Sequence, residues 1–217
     1  MKNKVISAVE EHKIIAILRG IPTDKIIQTA EALYDGGIRL IEITYSANKT
    51  IPYEKTSENI QKLSEHFGDR LCVGAGTVIT PELVELAARA GAKYIISPDT
   101  NISVIKRTNE LGLVSMPGAL TPTEILTAHY AGADFVKLFP VGNLGTGYIK
   151  AVCAPISNVK LLGVGGVNED NVAEFIRAGV VGVGAGGNLA NKKWVVAGEF
   201  DKLTDTARKM VENMKNA

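Results

Sequence analysis

The chain has 217 residues, 46% of them hydrophobic, and 24 basic against 23 acidic side chains give a net charge of +1. Such a chain buries a sizeable core; its length fits one domain or two, and no linker-like stretch divides it. A near-neutral balance without a basic stripe argues against nucleic acid as a partner, and no apolar run approaches the ~20 residues a bilayer requires, so a cytoplasmic protein away from membranes is expected.

Residues 1–13, MKNKVISAVEEHK, are charged and amphipathic, lack the apolar centre of a signal peptide, and read as a leading helix. Residues 14–18, IIAIL, form a short apolar strand ending at Arg19-Gly20, and Ile21-Pro22-Thr23-Asp24 opens a helical pattern that runs through Tyr34. Strand-like residues 38–44 follow, then a helix over 57–67 and the strand LCVGAGTV at 71–78, whose glycines suit close backbone approach. Thr80-Pro81 starts a helix with a capping residue and a proline at the first turn. Further strands are expected at 93–98, 113–118, 134–140, 159–166 and 180–187. Helices are expected near 101–111, from Thr121, around 148–153, from Asn168, and over 201–214 after a loop holding Lys192, Lys193 and Trp194.

The helix-to-strand junctions repeat one grammar: AGAKYIIS, LGLVSMPG and AGADFVKL each set a glycine where a helix stops and an apolar strand begins. Strands alternating with helices imply parallel strands joined by helical crossovers. Eight such pairs point to an α/β fold of the (β/α)8 TIM-barrel type with an additional N-terminal helix, in one domain spanning 1–217. An open doubly wound sheet is the alternative, though no GxGxxG follows the first strand.

Two charged residues interrupt the strands. In DFVKLFP, alternation puts Phe135, Lys137 and Phe139 on one face and Val136 and Leu138 on the other; in residues 38–44 it puts Leu40, Glu42 and Thr44 opposite Ile41 and Ile43. If the aliphatic faces meet the helices, Lys137 and Glu42 both enter the barrel. An ammonium among apolar neighbours is costly unless paired or deprotonated, and a neutral lysine is a nucleophile. The plain alternatives are a lysine snorkelling to solvent or a structural Lys137–Glu42 ion pair.

Barrel enzymes carry their chemistry at the C-terminal strand ends, where Arg19, Thr77 and Pro98 also fall. Loops after the last two strands often bind phosphate through backbone N–H groups, and Gly165, Gly166, Gly186 and Gly187 occupy those loops. His12, His66 and His129 fall on expected helices, away from this mouth. Cys72 and Cys153 form no CxxC pair and read as small core residues, so neither metal nor disulfide is expected.

The motifs IAILRG (15–20), IEIT (41–44), GAGTV (74–78), ISP (96–98), MPGALTPTE (116–124), VKLFP (136–140) and GGV (165–167) resemble, in order and spacing, the family of 2-keto-3-deoxy-6-phosphogluconate (KDPG) and 4-hydroxy-2-oxoglutarate aldolases. The resemblance covers nearly the whole chain and implies a cofactor-free class I lyase, assembled as a homotrimer. Such an enzyme cleaves KDPG to pyruvate and glyceraldehyde 3-phosphate, and 4-hydroxy-2-oxoglutarate to pyruvate and glyoxylate. By position it makes Lys137 the Schiff-base lysine, Glu42 the general acid/base, and Arg19 and Thr77 substrate-binding residues. Three positions depart from the pattern: Ser46 stands where some members have arginine, Val164 where many have threonine, and Gly187 where many have serine. A sugar-phosphate isomerase, epimerase or synthase, or a non-catalytic phospholigand sensor, is the competing expectation.

Overall fold

The computed structural model describes residues 2–217. After helix α1 (Lys2–His12) the chain alternates: β1 (Ile14–Leu18), α2 (Ile26–Asp35), β2 (Leu40–Thr44), α3 (Tyr53–Phe67), β3 (Cys72–Gly76), α4 (Pro81–Arg89), β4 (Tyr94–Ile96), α5 (Ile102–Glu110). It continues through β5 (Val114–Met116), β6 (Gly118–Ala119), α6 (Pro122–Tyr130), β7 (Val136–Leu138), α7 (Gly145–Cys153), β8 (Leu161–Val164), α8 (Val172–Arg177), β9 (Gly182–Ala185), α9 (Lys192–Ala197) and α10 (Phe200–Lys215). All strands are parallel, in the order β5-β4-β3-β2-β1-β9-β8-β7-β6.

β5 and β6 are two halves of one barrel strand. Pro117 has no N–H to give the ladder, so the expected continuous strand over 113–118 breaks there. The ring still closes across the break: Phe135 N–H donates to the Ser115 carbonyl at 3.2 Å and Lys137 N–H to the Pro117 carbonyl at 2.8 Å. The result is the (β/α)8 barrel the alternation implied.

Two apolar cores follow from the two faces of each strand. Ile41, Ile43, Val136 and Leu138 pack outward in the main core beneath the helices. Leu40, Tyr94, Phe135 and Leu162 fill the barrel interior, and Val5 and Val9 of α1 join them, so the leading helix plugs one end of the barrel. Gly91 (φ 94°) and Gly132 (φ 101°) close α4 and α6 in the left-handed conformation that the glycine grammar required. α6 also opens with a full capping box between Thr121 and Glu124.

Several boundaries differ from expectation for local reasons. α2 begins only at Ile26 because residues 22–25 form a turn, Lys25 N–H donating to the Pro22 carbonyl at 3.0 Å. α3 starts at Tyr53, directly after Pro52, and α7 at Gly145. α8 starts at Val172 because the Asn168 side chain accepts from the Asp170 and Asn171 N–H groups and builds a turn first. Residues 192–197, expected as loop, are helical: the Asn191 side chain caps α9 by accepting from Lys193 N–H at 3.0 Å. Among the described residues no helix is long and apolar enough to cross a membrane.

Candidate active site

At the C-terminal ends of the strands a cavity of about 370 Å³ is lined by Arg19, Glu42, Thr77, Pro98, Lys137, Gly165, Gly166, Gly186 and Gly187, the residues expected there as candidate catalytic or binding groups. His12, His66 and His129 lie on α1, α3 and α6, outside it.

Lys137 is 8% exposed. Its Nζ stands 4.7 Å from the centroid of the Phe139 ring, and among the described residues it has neither a hydrogen bond nor a carboxylate within 4.0 Å. The snorkelling lysine and the tight structural ion pair are therefore both absent. Burial pushes the Lys137 pKa down; Glu42 opposes that shift and Arg19 reinforces it. A buried amine held toward its neutral form is what nucleophilic attack on a carbonyl needs.

Glu42 is 2% exposed, and its Oε2 has no hydrogen-bond partner. Burial pushes its pKa up, with Lys137 and Arg19 pulling the other way. A carboxyl group shifted toward neutrality, in reach of the cavity, suits proton transfer in both directions. Its seat is made by a missing side chain: a Cβ on Gly76 would sit 1.5 Å from Oε1 of Glu42. Gly74, paired in register with Glu42, clears space in the same way for the Tyr94 ring.

Thr77 has φ 56°, left-handed backbone that a β-branched residue adopts at a cost of about 1–3 kcal/mol. That conformation turns the chain out of β3 with its hydroxyl at the mouth, where it accepts from Arg19 Nη2 at 3.3 Å. Gly165 (φ 95°) and Gly166 (φ 78°) form the far wall, and among the described residues no backbone acceptor takes the N–H of Gly165, Gly166 or Gly187. Val164 and Asn188 also line the cavity, the Asn188 amide donating to Glu169 Oε2 at 3.2 Å. Ser46 is elsewhere, hydrogen-bonded to Asn48 and Thr50 within its own loop.

Sequence reasoning missed Tyr94, a buried phenol whose hydroxyl has no partner in the barrel interior. Alternation back from Pro98 through Ile96 was the available signal. It also missed Lys192, which lines a second cavity beside the first; placed in a presumed loop, Lys192 gave no signal.

Strand ends that converge on one polar cavity at the C-terminal mouth are the hallmark of a (β/α)8-barrel enzyme. Comparison with known proteins narrows that class. The family model for KDPG and KHG aldolases matches residues 5–206, and the chain belongs to that aldolase family. It is 37% identical over 177 residues to the 2-dehydro-3-deoxy-6-phosphogalactonate aldolase of Escherichia coli K12, covering 81% of this chain and 83% of that one. It is 29% identical to the 2-dehydro-3-deoxy-phosphogluconate aldolase of Treponema pallidum, covering 96% of each. Among solved structures it resembles the KDPG aldolase of Legionella pneumophila with pyruvate captured as a covalent carbinolamine intermediate, with a TM-score of 0.85, 25% identity, and 94% of this chain and 97% of that one covered.

Proposed function

We propose that the protein is a class I aldolase that cleaves a 2-keto-3-deoxy-6-phosphoaldonate to pyruvate and glyceraldehyde 3-phosphate through an imine on Lys137. The observation that carries this reading is the buried, unpaired Lys137 amine sharing one cavity with the buried, unpartnered Glu42 carboxyl group. Neutral Lys137 attacks the C2 carbonyl carbon, and the carbinolamine loses water to give an iminium. Glu42 takes the C4 hydroxyl proton, the C3–C4 bond breaks, its electron pair moves into the iminium as an enamine, and the aldehyde leaves. A proton delivered to C3 and hydrolysis of the imine then release pyruvate and restore the amine. Arg19, with Thr77 beside it, supplies positive charge at the mouth of the cavity for an anionic end of the substrate.

The C4 configuration favoured is that of the galactonate epimer, ahead of the gluconate epimer that the motifs alone put first. The higher identity to the phosphogalactonate aldolase supports this choice. The chain assembles as a homotrimer in this reading.

Borohydride reduction in the presence of pyruvate, followed by peptide mass mapping, is expected to place one adduct on Lys137. Parallel kinetics with the two phosphorylated epimers and 4-hydroxy-2-oxoglutarate rank the substrates. No adduct, or one spread over surface lysines, removes the imine and leaves isomerase chemistry to be tested. A higher kcat/KM for the gluconate epimer reverses the assignment at C4.

A further inference from the structure

Beside the main cavity lies a smaller one of about 260 Å³, lined by Ile17, Arg19, Gly186, Gly187, Ala190 and Lys192. It shares Ile17, Arg19, Gly186 and Gly187 with the cavity that holds Lys137. Its two charged lining residues are both cations, and no carboxylate lines it.

Among the described residues Lys192 is not tied to a carboxylate, unlike several other lysines of the chain. Lys55, Lys62, Lys93, Lys160, Lys202 and Lys209 each pair with a carboxylate. Among the described residues, Lys192 has no carboxylate within 4.0 Å and its ammonium makes no hydrogen bond. Nor does it extend away from the barrel. Its Nζ lies 2.8 Å from where a Cβ on Gly20 would be, so the side chain folds back over the turn after β1, next to Arg19 in sequence. Gly20, at φ 64°, both makes that turn and leaves the room. Two cations facing one void without a countercharge attract an anion. Glu169, the acid tied to the nearby Asn188, is already engaged by that amide.

We propose that Lys192 is a specificity-determining residue that, with Arg19 and the backbone of Gly186 and Gly187, binds the terminal phosphate of the substrate. The proposal rests on the aldolase reading for the identity of the phosphate's carrier. It accounts for the departures at Val164 and Gly187: the hydroxyl donors missing there are replaced by a full charge arriving from α9. A phosphoryl dianion is the group such a pair of cations suits, and its removal from the substrate removes the contact.

The test compares wild type with Lys192→Ala, Lys192→Arg and, as a control one residue away and outside both cavities, Lys193→Ala. The phosphorylated sugar acid and the same acid without phosphate serve as substrates. Lys192→Ala is expected to raise KM for the phosphorylated substrate about tenfold, with the preference for it over the unphosphorylated acid falling by a similar factor. Lys192→Arg is expected to recover most of that preference, and Lys193→Ala to leave it intact. Inorganic phosphate should inhibit Lys192→Ala about tenfold more weakly than wild type. An unchanged preference in Lys192→Ala, or an arginine variant no better than the alanine one, overturns the assignment. If the wild type cleaves neither acid, the aldolase reading fails by itself. Calorimetric titration with inorganic phosphate then decides Lys192: weaker binding by the alanine variant supports the subsite, and equal binding removes it.

Discussion

Gly76→Ala tests the seat of Glu42 without touching its chemistry. The added Cβ would lie 1.5 Å from Oε1 and 2.3 Å from the carboxyl carbon, whereas real Cβ atoms essentially never come within 3.0 Å of a heavy atom. The backbone has little room to yield, because β3 is paired along its length with β2, Gly76 opposite Thr44 and Gly74 opposite Glu42 itself. The carboxyl group must therefore retreat by about 1.5 Å. Misplacing a reacting group by about 1 Å costs about 10²-fold in rate, so kcat for cleavage is expected to fall at least about 10²-fold. Overpacking of this size costs about 1–3 kcal/mol, a drop of about 2–12 °C in Tm for a chain of this length; the variant remains folded. Lys137 is unaltered, so pyruvate with borohydride should still label it, more slowly. The assay is pyruvate release coupled to lactate dehydrogenase, with circular-dichroism melting for stability. Gly147→Ala is the control, since a Cβ there meets nothing within 4 Å. A folded Gly76→Ala protein with kcat within about threefold of wild type would refute the claim that the position of Glu42 limits cleavage.

Lys137→Ala and Lys137→Arg are both expected to abolish turnover, because a guanidinium stays protonated and forms no imine; residual cleavage by the arginine variant would rule out the amine as nucleophile. Glu42→Gln should retain borohydride labelling at Lys137 while losing about 10²- to 10⁴-fold in cleavage, and wild-type cleavage would remove Glu42 from the proton transfers. Because Arg19 helps hold the Lys137 pKa below its usual 10.5, Arg19→Gln should let the amine keep its proton longer and move the ascending limb of the pH–kcat/KM profile to higher pH; a limb that stays in place would sever that link. The folded protein binds fewer protons at Lys137 than the unfolded chain between the lowered pKa and 10.5, so this group's contribution to stability rises with pH across that window. Lys137→Met should erase that part of the slope of Tm against pH. Restoring hydroxyls with Val164→Thr and Gly187→Ser should lower KM for the phosphorylated substrate more than for 4-hydroxy-2-oxoglutarate, and an unchanged ratio of specificity constants would show that those hydroxyls do not set the preference.

Local chemistry written along the chain was enough for the barrel and for the two central residues. A period of two in residues 38–44 and 134–140 assigns faces by itself, because a strand's side chains alternate whatever it pairs with. Ile41, Ile43, Val136 and Leu138 accordingly lie beneath the helices, and Glu42 and Lys137 face the cavity. The glycine stops and Thr-Pro starts marked helix ends for the same reason: their preferences are properties of one or two residues. What depends on residues far apart in sequence was decided only by the tertiary structure. That Lys137 and Glu42 share a site without a close ion pair follows from the barrel's closure, which sets the spacing between strands, and from Gly76, whose missing side chain admits the carboxyl group. The break at Pro117 is mended by donors from the next strand, Phe135 and Lys137, which no reading of residues 113–118 contains. The short helix α9 depends on the Asn191 cap and on packing of Val195 in the core, too little periodic sequence to stand out. Its lysine reaches the smaller cavity because the last barrel strand lies beside the first, bringing Lys192 against Gly20 across 172 residues of chain.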